Sequence, residues 1–313
     1  MDTFLGTLMQ TFLQKLLQMI LEFFGISDAV EGAQRTVCQS LYKTGINLWN
    51  AMTSQAFTFA GISPSAADNA SYELVTRLQS AFQIIAIQIL IIAFLYRYFK
   101  TFNESREAVD LYTIIKVMVM MFLAQFAVMN SAALFDQIFG IGSGLCSLIG
   151  VSAAGLSPND EIMSLLSGDI PGTGLLTLLV LFIFCACLVV TGAGILITVV
   201  QRLLKLFTML PFAGMALATL IGGGRVSEIG YSYIRSFLGY IMEGIMIMLI
   251  LIIGNNIVSS NILGNAFEGI AFDENSWFIW RLLVLCIGQI IGCGAISGMV
   301  RQADSLVHRM FGL

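Results

Sequence analysis

Charge is scarce in this chain. Aspartate, glutamate, lysine and arginine make up 11% of its 313 residues, against 58% hydrophobic residues, where a soluble domain carries roughly 25% charged residues. Such a chain cannot cover its surface with polar groups, so its solvent is lipid and it reads as a polytopic membrane protein. Histidine occurs once, at His308, which leaves no histidine pair for an HExxH zinc site. No GxxxxGK(S/T) phosphate cradle is present. The six cysteines form no CxxC pair, and Cys185, Cys187, Cys286 and Cys293 lie inside apolar runs, where a thiol behaves as a small hydrophobe. The opening stretch MDTFLGTLMQ lacks a basic segment before an apolar one, so no cleavable signal peptide is expected. These absences argue against an enzyme, a cofactor or a metal. Any energy input comes from a gradient or from a partner that hydrolyses nucleotide.

What is present is helical pattern. Residues 3–24 carry apolar side chains at helical spacing with glutamines, Lys15 and Glu22 on the other face. That is a helix lying on a membrane surface or docked on other helices. Residues 40–59 allow a second amphipathic helix, which makes 1–76 an N-terminal amphipathic region. The transmembrane domain is 77–313, with spans near 80–100, 110–135, 175–200, 237–258 and 277–300. Between the second and third lies a glycine- and serine-rich, acidic stretch, 136–173, expected as loops and short amphipathic pieces. Trp277 and Trp280 read as an interfacial anchor. The fold class is all-α.

The apolar run Leu206–Ile221 is about 16 residues long, short of the roughly 20 that cross a bilayer. Pro211 and Gly214 interrupt it and Gly222, Gly223 and Gly224 end it. If it does not cross, five spans gather Arg97, Lys100, Arg106, Arg202, Lys205, Arg225, Arg235, Arg301 and Arg309 on one side. That is the cytoplasmic side by the positive-inside rule. The N-terminus is then outside and the C-terminus cytoplasmic. Length and charge thus favour a segment that is re-entrant or interfacial, covered by protein or facing a lumen. A sixth crossing is the alternative, and it erases most of the charge asymmetry.

Lys116 and Glu243 are the charges placed well inside spans. Each lies about six residues, roughly 9 Å, from the same end of its helix, so they are a candidate intramembrane ion pair. The alternative is that Lys116 snorkels to the headgroups and Glu243 bonds a neighbouring hydroxyl. Gly288, Gly292, Gly294 and Gly298 form two overlaid small-xxx-small steps that let helices approach. Gln289 sits among them as a hydrogen-bonding group, for self-association or for packing within the chain.

The layout resembles the TrbL-like polytopic inner-membrane channel subunits of type IV secretion and conjugal-transfer systems, in the variant found on integrative elements of Gram-positive bacteria. The resemblance covers most of 77–313 and is strongest at 175–250, through QRLLKLFTMLPFAGMALATLIGGGR and the span that follows. It implies a homo-oligomer in the bacterial cell membrane, working with other channel subunits and cytoplasmic ATPases, with transient contact to a translocated DNA–protein substrate. It assigns Arg202, Lys205, Arg225 and Arg235 to a cytoplasmic mouth; the alternative is that they are topology cations in contact with lipid headgroups. Two other classes stay open. One is a secondary transporter, although internal repeats and a matching second broken segment are missing. The other is a holin-like or phage-exclusion membrane protein.

Overall fold

The computed structural model describes residues 30–62, 69–104, 111–150, 155–168, 174–260 and 278–311. The amphipathic segment read at 3–24 and Trp277 lie outside them. Every regular element described is helical: α1 (Val30–Gly61), α2 (Asn69–Glu104), α3 (Leu111–Met129), α4 (Ser131–Gly150), α5 (Asp160–Ser167) and α6 (Gly174–Met209). A 3-10 turn at Leu210–Phe212, α7 (Ala213–Thr219) and a second 3-10 turn at Leu220–Gly222 follow. α8 (Arg225–Ser259) and α9 (Phe278–Phe311) complete the fold. Four helical runs are long and apolar enough to cross a membrane, and the bent pair α3–α4 supplies a fifth if it counts as one span. Ile92 on α2 and Phe122, Leu123 and Phe126 on α3 are each more than 60% exposed, an apolar face that only lipid or another apolar surface solvates. The chain is an all-α membrane protein.

The described residues fall into two compact units. The first draws on Met1–Ala51, Gly155–Ala193 and Gly254–Ala295, the second on Met52–Ala154, Gly194–Ile253 and Ile296–Leu313. α1 is buried along one stripe. Cys38, Leu41, Tyr42, Ile46, Trp49, Met52, Ala56 and Ala60 recur every three or four residues and are all buried.

In the first unit, α1 holds the segment before α5. The Asn50 side chain accepts from the Leu156 amide (2.7 Å) and donates to its carbonyl (2.9 Å), satisfying backbone that no helix satisfies. Asn159 caps α5 by accepting from the Glu161 amide at 2.8 Å. Ile162 and Leu166, one turn apart, are fully buried. The stretch 136–173 therefore holds more helix than its glycine content suggests.

In the second unit the run expected as one span at 110–135 is broken. α3 and α4 meet at Asn130 with a bend of 74°. At the bend the Asn130 side chain and its own amide both donate to Phe126 O, at 2.9 and 3.0 Å, a side-chain bond to the preceding turn of the kind found in bent helices. α2 supports the bend, because Gln83 donates to Met129 O (3.0 Å) and Gln79 to the Ser131 hydroxyl (3.1 Å).

The same unit gives the course of 206–221. The backbone stays helical through Pro211 and Phe212. Proline is tolerated because it opens a new turn, where its missing N–H matters least, and the alanines of 213–219 favour helix. The segment runs parallel to α2. Phe212 stacks on Phe82 with ring centroids 5.2 Å apart, a Cβ at Gly214 would lie 3.5 Å from Ala86, and Arg97 donates to Ile221 O at 3.1 Å. It thus travels alongside the apolar part of α2. Reversal comes later, at Gly223 and Gly224, whose φ angles of 68° and 56° belong to glycine. α8 then runs back: Tyr233 donates to Met209 O at 2.6 Å, and a Cβ at Gly230 would meet Ala216 O at 2.7 Å. Ala86, Leu90, Leu217, Ala218, Ile221, Phe135, Phe139 and Phe237 form the buried core around this piece. Phe135 and Phe237 pack edge to face at 4.4 Å.

Candidate functional site: a buried charge cluster

The interior of the second unit holds charged residues. Arg202 and Lys205 lie three apart on α6, Tyr240 and Glu243 three apart on α8, and Asp304 and His308 four apart on α9. These spacings put each pair on one helix face. Arg202 is 2% exposed. Its guanidinium donates through Nε to Tyr240 O (2.7 Å) and through Nη1 to Ala60 O (2.9 Å). Ala60 ends α1, so the cation meets a carbonyl left open at a helix terminus. Gly244 makes the room, since a Cβ there would strike Arg202 Nη2 and come within 2.8 Å of Ala60 O. Gly194 does the same for Arg301, whose Nη2 would lie 2.5 Å from a Cβ.

Glu243 is also 2% exposed, and its Oε2 has no hydrogen-bond partner. The charges that act on it are Asp304, Arg202 and Lys205. Lys205 is itself committed: its ammonium pairs with Asp304 Oδ2 at 3.0 Å and lies 5.3 Å from the centroid of the Tyr240 ring. Asp304 Oδ1 in turn holds His308 Nε2 at 3.0 Å. The arrangement grades from a sealed Arg202 and Glu243 to a half-exposed Lys205, Asp304 and His308.

The structure redistributes the residues singled out from sequence. Lys116 is exposed on α3, whereas Glu243 is buried. This corrects the Lys116–Glu243 pairing, and the reason is orientation: equal depth along two helices does not aim two side chains at each other. Arg202 and Lys205 share a site, but Arg225 does not join them. The helical run 206–221, about 24 Å of rise, separates it from Lys205. Gly224 beside it lies close to the Lys100 ammonium, 3.7 Å from where a Cβ would stand. Arg225 and Arg235 are exposed. Gln289 packs within the chain, buried in the first unit, where it accepts from the Tyr42 hydroxyl at 3.1 Å. Gly288 and Gly292 are buried on the same helix. Gly294 and Gly298 face open space: a Cβ on either would have nothing within 4 Å.

Asp304, His308, Tyr240, Gly194 and Gly244 were not legible as site residues. The signal for Asp304 and His308 was their four-residue spacing in 301–313, a stretch that reads as a polar tail and instead continues α9 to Phe311. Among the described residues no group of histidine, cysteine and acidic side chains could hold a metal. Comparison of the chain with protein-family models, curated proteins and solved structures finds no match.

Proposed function

We propose that this chain is an integral membrane subunit of a translocation channel of the TrbL-like kind, helping a DNA–protein substrate cross the bacterial cell membrane in type IV secretion or conjugation. One observation carries the reading. Arg202 is committed to backbone carbonyls and Lys205 to Asp304, while α2 and α3 present exposed apolar side chains. A chain so built works through what it assembles with: further copies, other channel subunits and cytoplasmic ATPases. No catalytic step or cofactor is part of the proposal. The orientation follows the cations. With 174–222 as a single long pass, Arg97, Lys100 and Arg225 gather at one end of the second unit, the cytoplasmic end by the positive-inside rule. Counting α3–α4 as one pass leaves the N-terminus outside and the C-terminus inside.

The test is purification in nanodiscs with mass measurement. A monodisperse ring is the expected outcome, and a monomer counts against the reading. A reporter fused after Leu313 is expected to be active only in the cytoplasm. A second reading, an ion-coupled transporter, is favoured by the unpartnered Glu243 oxygen among Arg202, Lys205 and Asp304, because ionisable residues at membrane depth mark ion pathways. Saturable solute uptake by the monomer in proteoliposomes would select it.

A further inference from the structure

Glu243 is sealed from water at 2% exposed, and no donor reaches its Oε2. Its charged and titratable neighbours come from several helices of the second unit. Arg202 and Lys205 stand on α6, Asp304 on α9, and Tyr240 one turn earlier on α8 itself. α4 adds the buried Cys146, which acts on Arg202, and α1 brings the Ala60 carbonyl, which Arg202 takes. Arg202 spends Nε and Nη1 on carbonyls, and Lys205 is paired with Asp304. A carboxylate so placed is costly to keep ionised. A hard metal cation would need several oxygens around it, and among the described residues no group of histidine, cysteine and acidic side chains offers them. A proton needs one.

A route outward is in place. Asp304 holds Lys205 through Oδ2 and His308 Nε2 through Oδ1, both at 3.0 Å. The His308 ring packs edge-on against Tyr240, with centroids 6.1 Å apart, and its Nδ1 has no hydrogen-bond partner. The same ring lines a cleft of about 1080 Å³ between the first turns of α8 and the last turns of α9, together with Glu228, Ser232 and Ser305. Charged and hydroxyl groups keep such a cleft wet.

We infer that Glu243 is a proton-binding site, loaded and unloaded from the cleft through His308 and Asp304. A proton enters at the free Nδ1 of His308 as the ring passes its other proton from Nε2 to Asp304 Oδ1, which leaves the imidazole neutral in its other tautomer. Asp304 gives that proton on to Glu243 and is again a carboxylate paired with Lys205, and a turn of the ring resets His308. The net change is one proton moved from the water of the cleft to Glu243, with no electron transferred. The site gives the transporter reading its ion, yet a channel subunit can house it equally, so it rests on neither.

The experiment is infrared difference spectroscopy of the full chain in nanodiscs, with the buffer stepped from alkaline to acid. The wild type is expected to gain the C=O stretch of a protonated carboxylic acid, at the high frequency of a carboxyl with few hydrogen bonds. In the wild type that band shifts when glutamate is isotope-labelled at its carboxyl and stays when aspartate is. Glu243→Gln removes it. Asp304→Asn and His308→Ala keep the band but form it about a hundredfold more slowly after a rapid pH step, the low end of what a positioned proton-transfer group supplies. Added imidazole restores the rate in His308→Ala and leaves Asp304→Asn slow, a rescue that a purely structural histidine would not show. A band carried by aspartate, a band that survives Glu243→Gln, its absence at every pH, or wild-type rates in both route variants overturns the inference. A wild type that shows the band but takes up no solute keeps the site and loses only the transporter reading.

Discussion

In the first unit three polar contacts of α1 join neutral groups, and the ion pair Arg281–Glu161 is half-exposed. The Tyr42 hydroxyl lies between Gln289, to which it donates, and the Asn159 amide at 2.9 Å, from which it accepts; the Trp49 indole donates to Asn255 at 3.2 Å; Asn50 satisfies the backbone of Leu156. The second unit has a buried neutral pair too, Gln79 on Ser131, but adds ions: Arg202 buried on two carbonyls, Glu243 buried with an oxygen left over, and the half-exposed Lys205 on Asp304. A neutral pair surrenders little hydration and regains it in one bond, whereas a buried ion needs several partners before its desolvation is offset. A buried ionic cluster is weak grounds for stability. At membrane depth it is a stronger pointer to function, and so the candidate site is placed in the second unit.

Five measurements break or sharpen that contrast. Arg202→Met is expected to have the largest effect, about 3–5 kcal/mol of destabilisation, because Ala60 O and Tyr240 O lose their donor and the nearby buried Glu243 loses a compensating charge. Thermal melting in detergent reads it, and a loss below about 1 kcal/mol would place the ionic interior on a par with the neutral one. In the first unit, burial pushes the Cys38 thiol up to about 11 from 9.0. In a variant keeping Cys38 alone, alkylation should run about 100-fold slower than for a free thiol near neutral pH and climb as pH rises toward 11, since only the thiolate reacts. A rate that levels off near pH 9 would mean that the first unit is wet.

Gly244→Ala pushes a methyl into the Arg202 guanidinium and should cost about 2 kcal/mol, with little added in the Arg202→Met background. Additive effects would separate the glycine from the arginine. Tyr42→Phe leaves Gln289 and the Asn159 amide without a partner, for about 1–2 kcal/mol, and a further change at Gln289 should add little. Lys116→Ala is expected to fall within about 0.5 kcal/mol. A larger loss would restore a structural role to that cation.

How much was legible varies with the kind of claim. The apolar runs at 80–100, 175–200 and 237–258 and the described part of 277–300 all fall within long helices, because a summed preference for lipid survives any tertiary arrangement. The run at 110–135 is helical too but bends by 74° at Asn130, and one polar residue hardly alters an average over twenty. Pro211 and the glycines after it were read as one interruption. Proline instead starts a helical turn, and only Gly223 and Gly224 turn the chain. Gln289 stood out as a polar residue among small ones, but its partner Tyr42 lies 247 residues away.

By itself, then, the sequence determined the solvent and the class. Low charge and long apolar runs require lipid, and lipid requires backbone hydrogen bonds closed within each segment, which means helix. Only the tertiary structure decided which charge meets which. Arg202 reaches Ala60 across 142 positions, and Lys205 reaches Asp304 across 99. Contacts of about 3 Å depend on how helices rotate about their axes and where they bend, and no spacing along a single helix carries that information.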